Sequence, residues 1–474
     1  MWQGWSKSIT SFKWKPTYSD SKLLDWGNLI ISNAKTTLTI ANEVLSIAKD
    51  FAEQVEVFSV EASSTPVYFE ANAIKGVDAN DASGVALRII KDGRIGFSST
   101  SDIDDLKGLV NAALETAPFG AEAEFNFPGP QNNPNVVGFD ELTNAITLEE
   151  MVELGENMIS KIRALSSEVQ VEGSVSKSTS NITLVNSNGV SIQYPKTRFG
   201  IGFEGTVIRG EDMLFTFDGL SSVSPVMDTS DIVNSIDRQL QWAATTATVN
   251  NDSLPVIFLP TAISSVILSP LLAGLNGKSV LLGTSPLIEK LGEKIVDERF
   301  TLLDDPTLQF ISGSRPCDDE GMASRQIQLI NEGVVNSFFY DLQTAGKAGT
   351  TSTGSGERGL GSLPSPSTGV LLVEPGKSTL AEMITSVKEG LIIERLLGAG
   401  QGNVLGGDFN ANVLLGYKIE HGEVVGRVKD TMIAGNAYNV LNQLIELGSD
   451  NRWLGGGLNT PSIMVNGVSI SSKG

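Results

Sequence analysis

Apolar positions along the chain switch between a spacing near 3.6 and a spacing of two, the periods of amphipathic helix and half-buried strand. From Thr39 to Gln54 the residues Ile40, Val44, Ile47, Ala48 and Phe51 share one face and predict a helix. Pro66 to Val77 alternates like a strand. Val85–Ile90 and Arg94–Phe97 flank Asp92-Gly93, a hairpin signal because glycine accepts the positive φ of a tight turn. Ile103 to Thr116 returns to helix, and Phe125 to Pro134, rich in Pro, Asn and Gly, reads as a loop. Thr147 and Glu150 have capping-box spacing and predict a helix running to about Ser166. Long strands follow around a turn at Asn188-Gly189 and reach Phe217, and Asp228 to Ala247 predicts a helix.

The polar break Asn250–Ser253 is the expected domain boundary. Beyond it the pattern predicts a strand at Val256–Leu259, then a helix, and hairpins around Asn331–Gly333, His421-Gly422 and Asn466-Gly467. Helices are expected at Leu380–Glu389 and at Ala437–Leu447, the second stopped by Gly448. Hairpins outnumber strand–helix–strand units, so the expected fold class is α+β, with two domains of antiparallel sheets and packed helices. The expected divisions are an N-terminal extension (1–37), an N-terminal α+β domain (38–249) and a C-terminal β-rich α+β domain (250–474).

Composition narrows the partners. With 474 residues, 41% hydrophobic and 19% charged, the chain has material for large cores and reads as soluble and globular. No apolar run reaches the ~18 residues of a spanning helix; Val256–Leu275, the nearest, is broken by Pro260, several serines and Pro270. The net charge of −21 gives a field of the wrong sign for nucleic acid or an anionic membrane. One cysteine, Cys317, precludes an intrachain disulfide framework and suits a reducing compartment. Met1–Lys35, rich in Ser, Thr, Lys and Trp, is slightly like an organellar transit segment but has no arginine, and is read as a poorly ordered extension.

Candidate chemistry is sparse. Zinc peptidases commonly pair two histidines one helical turn apart with a glutamate between them. This chain has one histidine, His421, so neither that motif nor a three-histidine site can be written. His421 falls in a predicted turn and is read as a solvent-facing turn residue. No Gly-x-Ser-x-Gly elbow accompanies it, while Ser–Lys chemistry stays open. Asp304-Asp305 and Asp318–Glu320 could attract a hard cation, but without EF-hand spacing they read better as turn-forming or capping carboxylates. Gly398–Asn403 misses the dinucleotide fingerprint at its last position. Thr350–Arg358 is hydroxyl-rich and ends in an arginine able to grip a carboxylate.

The order of several segments resembles the TldD/PmbA metallopeptidase family. These are Gly84–Arg88 with Asp92–Asp102, Leu302–Pro306, Asp318–Gly321 and Ser352–Arg358, then Glu374–Gly376, Gly407–Phe409, Gly416–Glu423 and Ile433–Asn436. Each is weak alone, and together they span nearly the whole chain. The family is cytosolic and acts as pairs of related subunits. The TldD subunit carries a His-Glu-x-x-x-His helix and a cysteine near its C-terminus, and the PmbA/TldE subunit lacks them. In this chain Pro260, Thr261 and Ser265 stand where the first His, the Glu and the second His belong, and Trp453–Thr460 has no cysteine. The resemblance therefore implies a PmbA/TldE-like branch with no metal in this chain and no catalytic residue assigned to it. Zinc would sit on a TldD-like partner, and the substrate would be unfolded protein or peptide. Asp319, Glu320, Ser355 and Arg358 are the candidate substrate-chamber contacts, with a peptide adding as a strand to an exposed sheet edge. A homodimer, a non-catalytic peptide-binding scaffold and a metal-independent hydrolase remain the alternatives.

Overall fold

A computed structural model gives the fold and describes residues 36–250 and 252–473. The expected N-terminal extension, apart from Thr36 and Thr37, and Asn251 of the polar break lie outside the described residues. Thr37–Gly474 form one compact unit.

The chain opens with helix α1 (Thr37–Ala48), which buries Ile40, Ala41, Val44, Leu45 and Ala48. It is shorter than its periodic pattern, and Phe51, expected on the inner face, is 54% exposed beyond its end. Strand β1 (Gln54–Glu70) turns at Ala71 and Asn72, both at positive φ, into β2 (Ala73–Val77). The single strand expected from Pro66 to Val77 is thus a hairpin. β3 (Asn80–Lys91) and β4 (Arg94–Thr100) meet at the expected turn, with Asp92 at φ 50° and Gly93 at φ 70°. α2 (Leu106–Thr116) follows, its first turn capped by Asp105. A short α3 (Glu141–Ala145) leads to α4 (Leu148–Leu165), where Thr147 and Glu150 form the expected capping box. β5 (Gln170–Asn186), β6 (Ser191–Arg209) and β7 (Asp212–Ser222) complete an antiparallel sheet of order β4-β3-β1-β5-β6-β7, with β2 also on β1.

Side chains alternate across such a sheet. Val55, Val57, Val67 and Phe69 of β1 pack on the helices, α1 and α2 at one end and α4 at the other. Glu56 and Phe58 point to the opposite face. Gly155 in α4 shows how close the helix comes: a Cβ there would lie 2.0 Å from Phe69 Cζ.

α5 (Ser230–Trp242) ends earlier than its pattern, and Thr246–Ala247 form β8. The expected boundary at 250–253 runs directly into β9 (Asp252–Phe258). Next come α6 (Pro260–Ile263), a π turn over Ser264–Leu268, α7 (Ser269–Leu275) and α8 (Gly277–Leu281). Short strands β10 (Leu302–Asp304), β11 (Ile327–Asn331) and β12 (Val334–Val335) are followed by α9 (Leu342–Lys347). β13 (Gly356–Glu357) pairs with β14 (Ser365–Pro366), and β15 (Leu371–Val373) precedes α10 (Leu380–Ser386).

The last third is mostly strand: β16 (Glu389–Leu397), β17 (Asp408–Glu420), β18 (Glu423–Val428) and β19 (Thr431–Asn436). The helix expected over Ala437–Leu447 is only α11 (Ala437–Leu441), and Leu444–Leu447 form β20 on β23. β21 (Arg452–Leu454), β22 (Leu458–Thr460) and β23 (Ile463–Ser472) finish the chain. Asn466-Gly467 does not turn a hairpin. It sits in a bulge of β23, where the register to β9 shifts between Val465 and Val468. His421 and Gly422 do turn the β17–β18 hairpin, and His421 is exposed there.

β17 pairs with β19 and with β16, so the order β16-β9-β23-β19-β17 closes on itself as a small barrel. One core cluster fills this region with Val256, Phe258, Leu391, Phe409 and Ile463. A second cluster crosses the polar break, joining Phe69, Met158 and Phe203 to Ile257, Tyr417 and Met464. The chain is α+β with antiparallel sheets, as its pattern predicts. No helix among the described residues is long and apolar enough to cross a membrane.

Candidate functional site

The acidic segments lie inside, and their carboxylates are used. Asp304 accepts from the Gly369 and Val370 N–H groups, and burial pushes its carboxyl up to about 6. Asp318 Oδ1 accepts from the Glu320 and Met322 N–H groups and Oδ2 from Gly356, closing the turn that Gly321 completes at φ 81°. Asp319 Oδ2 accepts from Arg358 N–H at 3.0 Å. The sequence favours turn-forming carboxylates here, and that is their geometry.

Glu320 and Arg358 belong to a buried ion network that the sequence does not reveal. Glu56 and Arg88 are register partners on β1 and β3, so their side chains share the face opposite the helices. Arg88 donates Nε and Nη2 to the two Glu56 oxygens, at 3.1 and 2.9 Å, and Nη1 to Glu320 Oε1 at 2.8 Å. Its guanidinium lies against the rings of Phe125 and Phe127. The second Glu320 oxygen accepts from Leu342 N–H at 2.7 Å. Burial, with Asp318, Asp341 and Glu56 nearby, pushes the Glu320 carboxyl above its usual range against the pull of Arg88. Arg358 Nη2 is 2.9 Å from Glu56 Oε1, but its N–H bonds do not point at that oxygen. It is an ion pair without a hydrogen bond, stacked on Phe58 at 4.5 Å.

This placement changes the reading of the chamber candidates. The side chains of Glu320 and Arg358 are 0% exposed. Ser355 is buried too, its Oγ on Thr353 Oγ1 at 2.8 Å. Glu320 and Arg358 join the sheet to the C-terminal half, Ser355 bonds within that half, and none of the three presents an open surface to a substrate, while Asp319 is the least enclosed of the four.

The strand-addition expectation meets a further limit at β7. Gln239 of α5 and Arg427 of β18 bond to main-chain groups along its outer edge, at Phe217 and Met213. Side chains there stand where an added strand would pair.

At the resemblance's metal passage, Pro260 opens α6 and is buried, Thr261 is exposed, and Ser265 lies in the π turn with its Oγ on Ala262 O at 3.0 Å. α6 packs against β21, so this passage and the Trp453 loop matched to the missing cysteine are neighbours. A prolyl ring and two hydroxyls do not fit a zinc ion, which takes imidazole, thiolate or carboxylate ligands. Among the described residues no group of three His, Cys, Asp or Glu side chains could hold a metal. Next to the passage, Glu394 of β16 is enclosed by Arg238, Gln239 and the Tyr417 hydroxyl.

Sequence reasoning also missed Lys196, Arg198 and Arg315. Lys196 and Arg198 leave the same face of β6, and the loop carrying Arg315 lies over them from beyond residue 300. The alternating burial of β6 places both side chains on one face, but nothing local points to their long-range neighbour.

A helix-backed antiparallel sheet joined to a closed barrel, whose first strand β9 runs into a short helix at Pro260, is the architecture of a metallopeptidase family. The chain belongs to the PmbA/TldD metallopeptidase family: residues 55–117 match domain 1 of the PmbA/TldA metallopeptidases, 141–243 the central domain and 251–472 the C-terminal domain. Its fold superposes on TldE from Thermococcus kodakarensis with a TM-score of 0.82 and 26% identity, covering 91% of this chain and all of that one. An uncharacterized protein of Methanocaldococcus jannaschii is 25% identical over 437 residues, 90% of this chain and 99% of the relative. A Haemophilus influenzae protein described as a metalloprotease PmbA homolog is 23% identical over 452 residues, 90% of this chain and 94% of the relative.

Proposed function

We propose that the chain is a PmbA/TldE-like subunit of a two-component metallopeptidase acting on unfolded proteins or peptides. A TldD-like partner with a His-Glu-x-x-x-His helix supplies the zinc, and this chain completes the substrate chamber. The observation that carries the reading is the side-chain chemistry at Pro260, Thr261 and Ser265, which offers neither a metal ligand nor a general base. The π turn after Pro260 supports it: i→i+5 bonding brings residues five apart toward one face, the spacing of the partner's two histidines. The single buried Cys317 suits work in the cytoplasm.

The test is a peptidase assay on an unfolded protein, with the chain alone and mixed with a TldD-like homologue, with and without chelator. Activity in the mixture only, abolished by chelator, is expected. Chelator-resistant cleavage by the purified chain alone would overturn the reading and turn attention to Ser–Lys chemistry.

A further inference from the structure

On the face of the sheet opposite the helices, Lys196 and Arg198 stand beside small neighbours. Lys196 is the register partner of Ser180, which pairs with Ala62, and Arg198 of Ser178, which pairs with Ser64. The loop Ser312–Arg315 is pinned above by Phe310 N–H to Val137 O at 2.9 Å and Gly313 N–H to Gly456 O at 3.0 Å. Lys196 and this loop both border Gly138: Lys196 Cε and Ser314 O each lie 4.0 Å from where a Cβ there would stand.

The donors gathered here are unspent. Arg315 is 8% exposed, its Nε has no hydrogen-bond partner, and neither do the buried hydroxyls of Ser312 and Ser314. The nearest carboxylate to Arg315, Asp319 Oδ1, is 3.9 Å from Nη1, and its other oxygen is taken by Arg358 N–H. Lys196 is only half-buried and makes no hydrogen bond or ion pair among the described residues. Burial lowers it to about 8; Arg315 and Arg198 act in the same direction, and Asp319 and Glu357 oppose. Arg315 also faces Asp318 and the Tyr194 phenol, so three cations meet three carboxylates, of which Asp318 and Asp319 already accept main-chain N–H groups. Arg198 spends its Nε on Ser221 Oγ at 2.7 Å, whereas the unused donors of Lys196 and Arg315 at a partly desolvated place are costly when empty-handed, and an anion relieves that cost.

We propose that Lys196 and Arg315 form a carboxylate subsite for a bound peptide, with Arg198 at its rim. A carboxylate has lone pairs for the Lys196 ammonium and the Arg315 guanidinium together. The adjacent rows present only the small, half-buried side chains of Ala62, Ser64, Ser178 and Ser180. Arg198 Nη2 reaches Gly455 O at 3.4 Å, just past β21, so the subsite adjoins the strand that packs on α6. The assignment rests on the peptide-handling function proposed above.

The test titrates the full-length chain with an N-acetylated Ala/Gly hexapeptide bearing a neutral fluorophore, as free acid, as C-terminal amide, and as an amide with one internal Glu. At pH 7 the free acid should bind about ten-fold or more tightly than the plain amide, the worth of a charge-assisted contact. Lys196→Met and Arg315→Gln should erase that preference. In the wild type the preference should fade as pH rises beyond about 8, where Lys196 loses its proton, and Lys196→Arg should retain it to pH 10. If the Glu-bearing amide binds like the free acid, the subsite stands and reads side-chain carboxylates; if it binds like the plain amide, the subsite stands and reads the terminus. Equal affinity of acid and plain amide for the wild type would sink the subsite while leaving peptide binding intact. Binding of neither would remove the subsite and the peptide-handling role together, and the cleavage assay on the mixed subunits judges the subunit assignment separately.

Discussion

Gln239 of α5 holds Phe217 of β7 by both main-chain groups, its Oε1 accepting from the Phe217 N–H at 2.9 Å and its Nε2 donating to the Phe217 carbonyl at 3.0 Å. One side-chain amide thereby imitates a neighbouring strand at the edge of the sheet. Replacing Gln239 with Leu strands both groups and frees that edge for pairing with another chain. The expected result is a loss of about 1–3 kcal/mol in urea unfolding, with concentration-dependent association in light scattering. A variant as stable and as dispersed as the parent would show that the amide is incidental.

Arg88 neutralises two carboxylates that have no water to turn to. Arg88→Met leaves Glu56 and Glu320 buried with Arg358 as the one remaining cation, and should cost about 3–5 kcal/mol. Thermal unfolding reads this directly. A shift of only a degree or two would mean that the network relaxes or admits water.

Asp304 carries a pH signature. Its carboxyl is raised to about 6 in the folded chain against 3.8 ordinarily, chiefly by burial. Between those values the unfolded chain has released a proton that the folded chain keeps, so this group's contribution is full below about 4 and is lost as pH rises through 6. Asp304→Asn should remove from the wild-type curve a decline approaching ~1.4 kcal/mol per pH unit across pH 4 to 6. Parallel curves for the two proteins would contradict the assignment.

Gly155 is a packing requirement. An added methyl would meet the Phe69 ring, itself buried between helix and sheet. Gly155→Ala should lose about 1–3 kcal/mol despite better helix propensity, and Phe69→Leu in the same chain should recover part of it. A stabilised single variant would mean that the helix shifts outward at little cost.

Much of the fold was legible because its signals are local. The turns at Asp92-Gly93, Asn188-Gly189 and His421-Gly422, and the capping box at Thr147, each depend on residues within a few positions of one another. The errors arose where distant strands decide. Leu444–Leu447 continues an apolar helical pattern, yet β23 recruits it as a strand, and Asn466-Gly467 bulges rather than turns because β9 and β19 hold β23 on both sides. The site was less legible still. The motifs around Arg358 and Glu320 stand out in the sequence, but the burial of these residues depends on Glu56 and Arg88, more than 230 residues away in the case of the Arg88–Glu320 contact. Lys196 gave no local signal, since what surrounds it comes from the loop around Arg315.

The Arg88–Glu320 contact also sets an order of events at the ribosome. The two residues are 232 apart, which at roughly 5–20 residues per second is some tens of seconds of synthesis. Through that interval the emerging sheet shows water the Glu56–Arg88 face that it will later seal, and Glu320 and Arg358 arrive as its closure. A chain released before residue 257 keeps an exposed charged face and an open core edge at Phe69 and Phe203, whose partners at Ile257, Tyr417 and Met464 have yet to be made. Truncated products ending near residue 250 should therefore behave as unfinished proteins, retained by chaperones or degraded, rather than as a free-standing first domain.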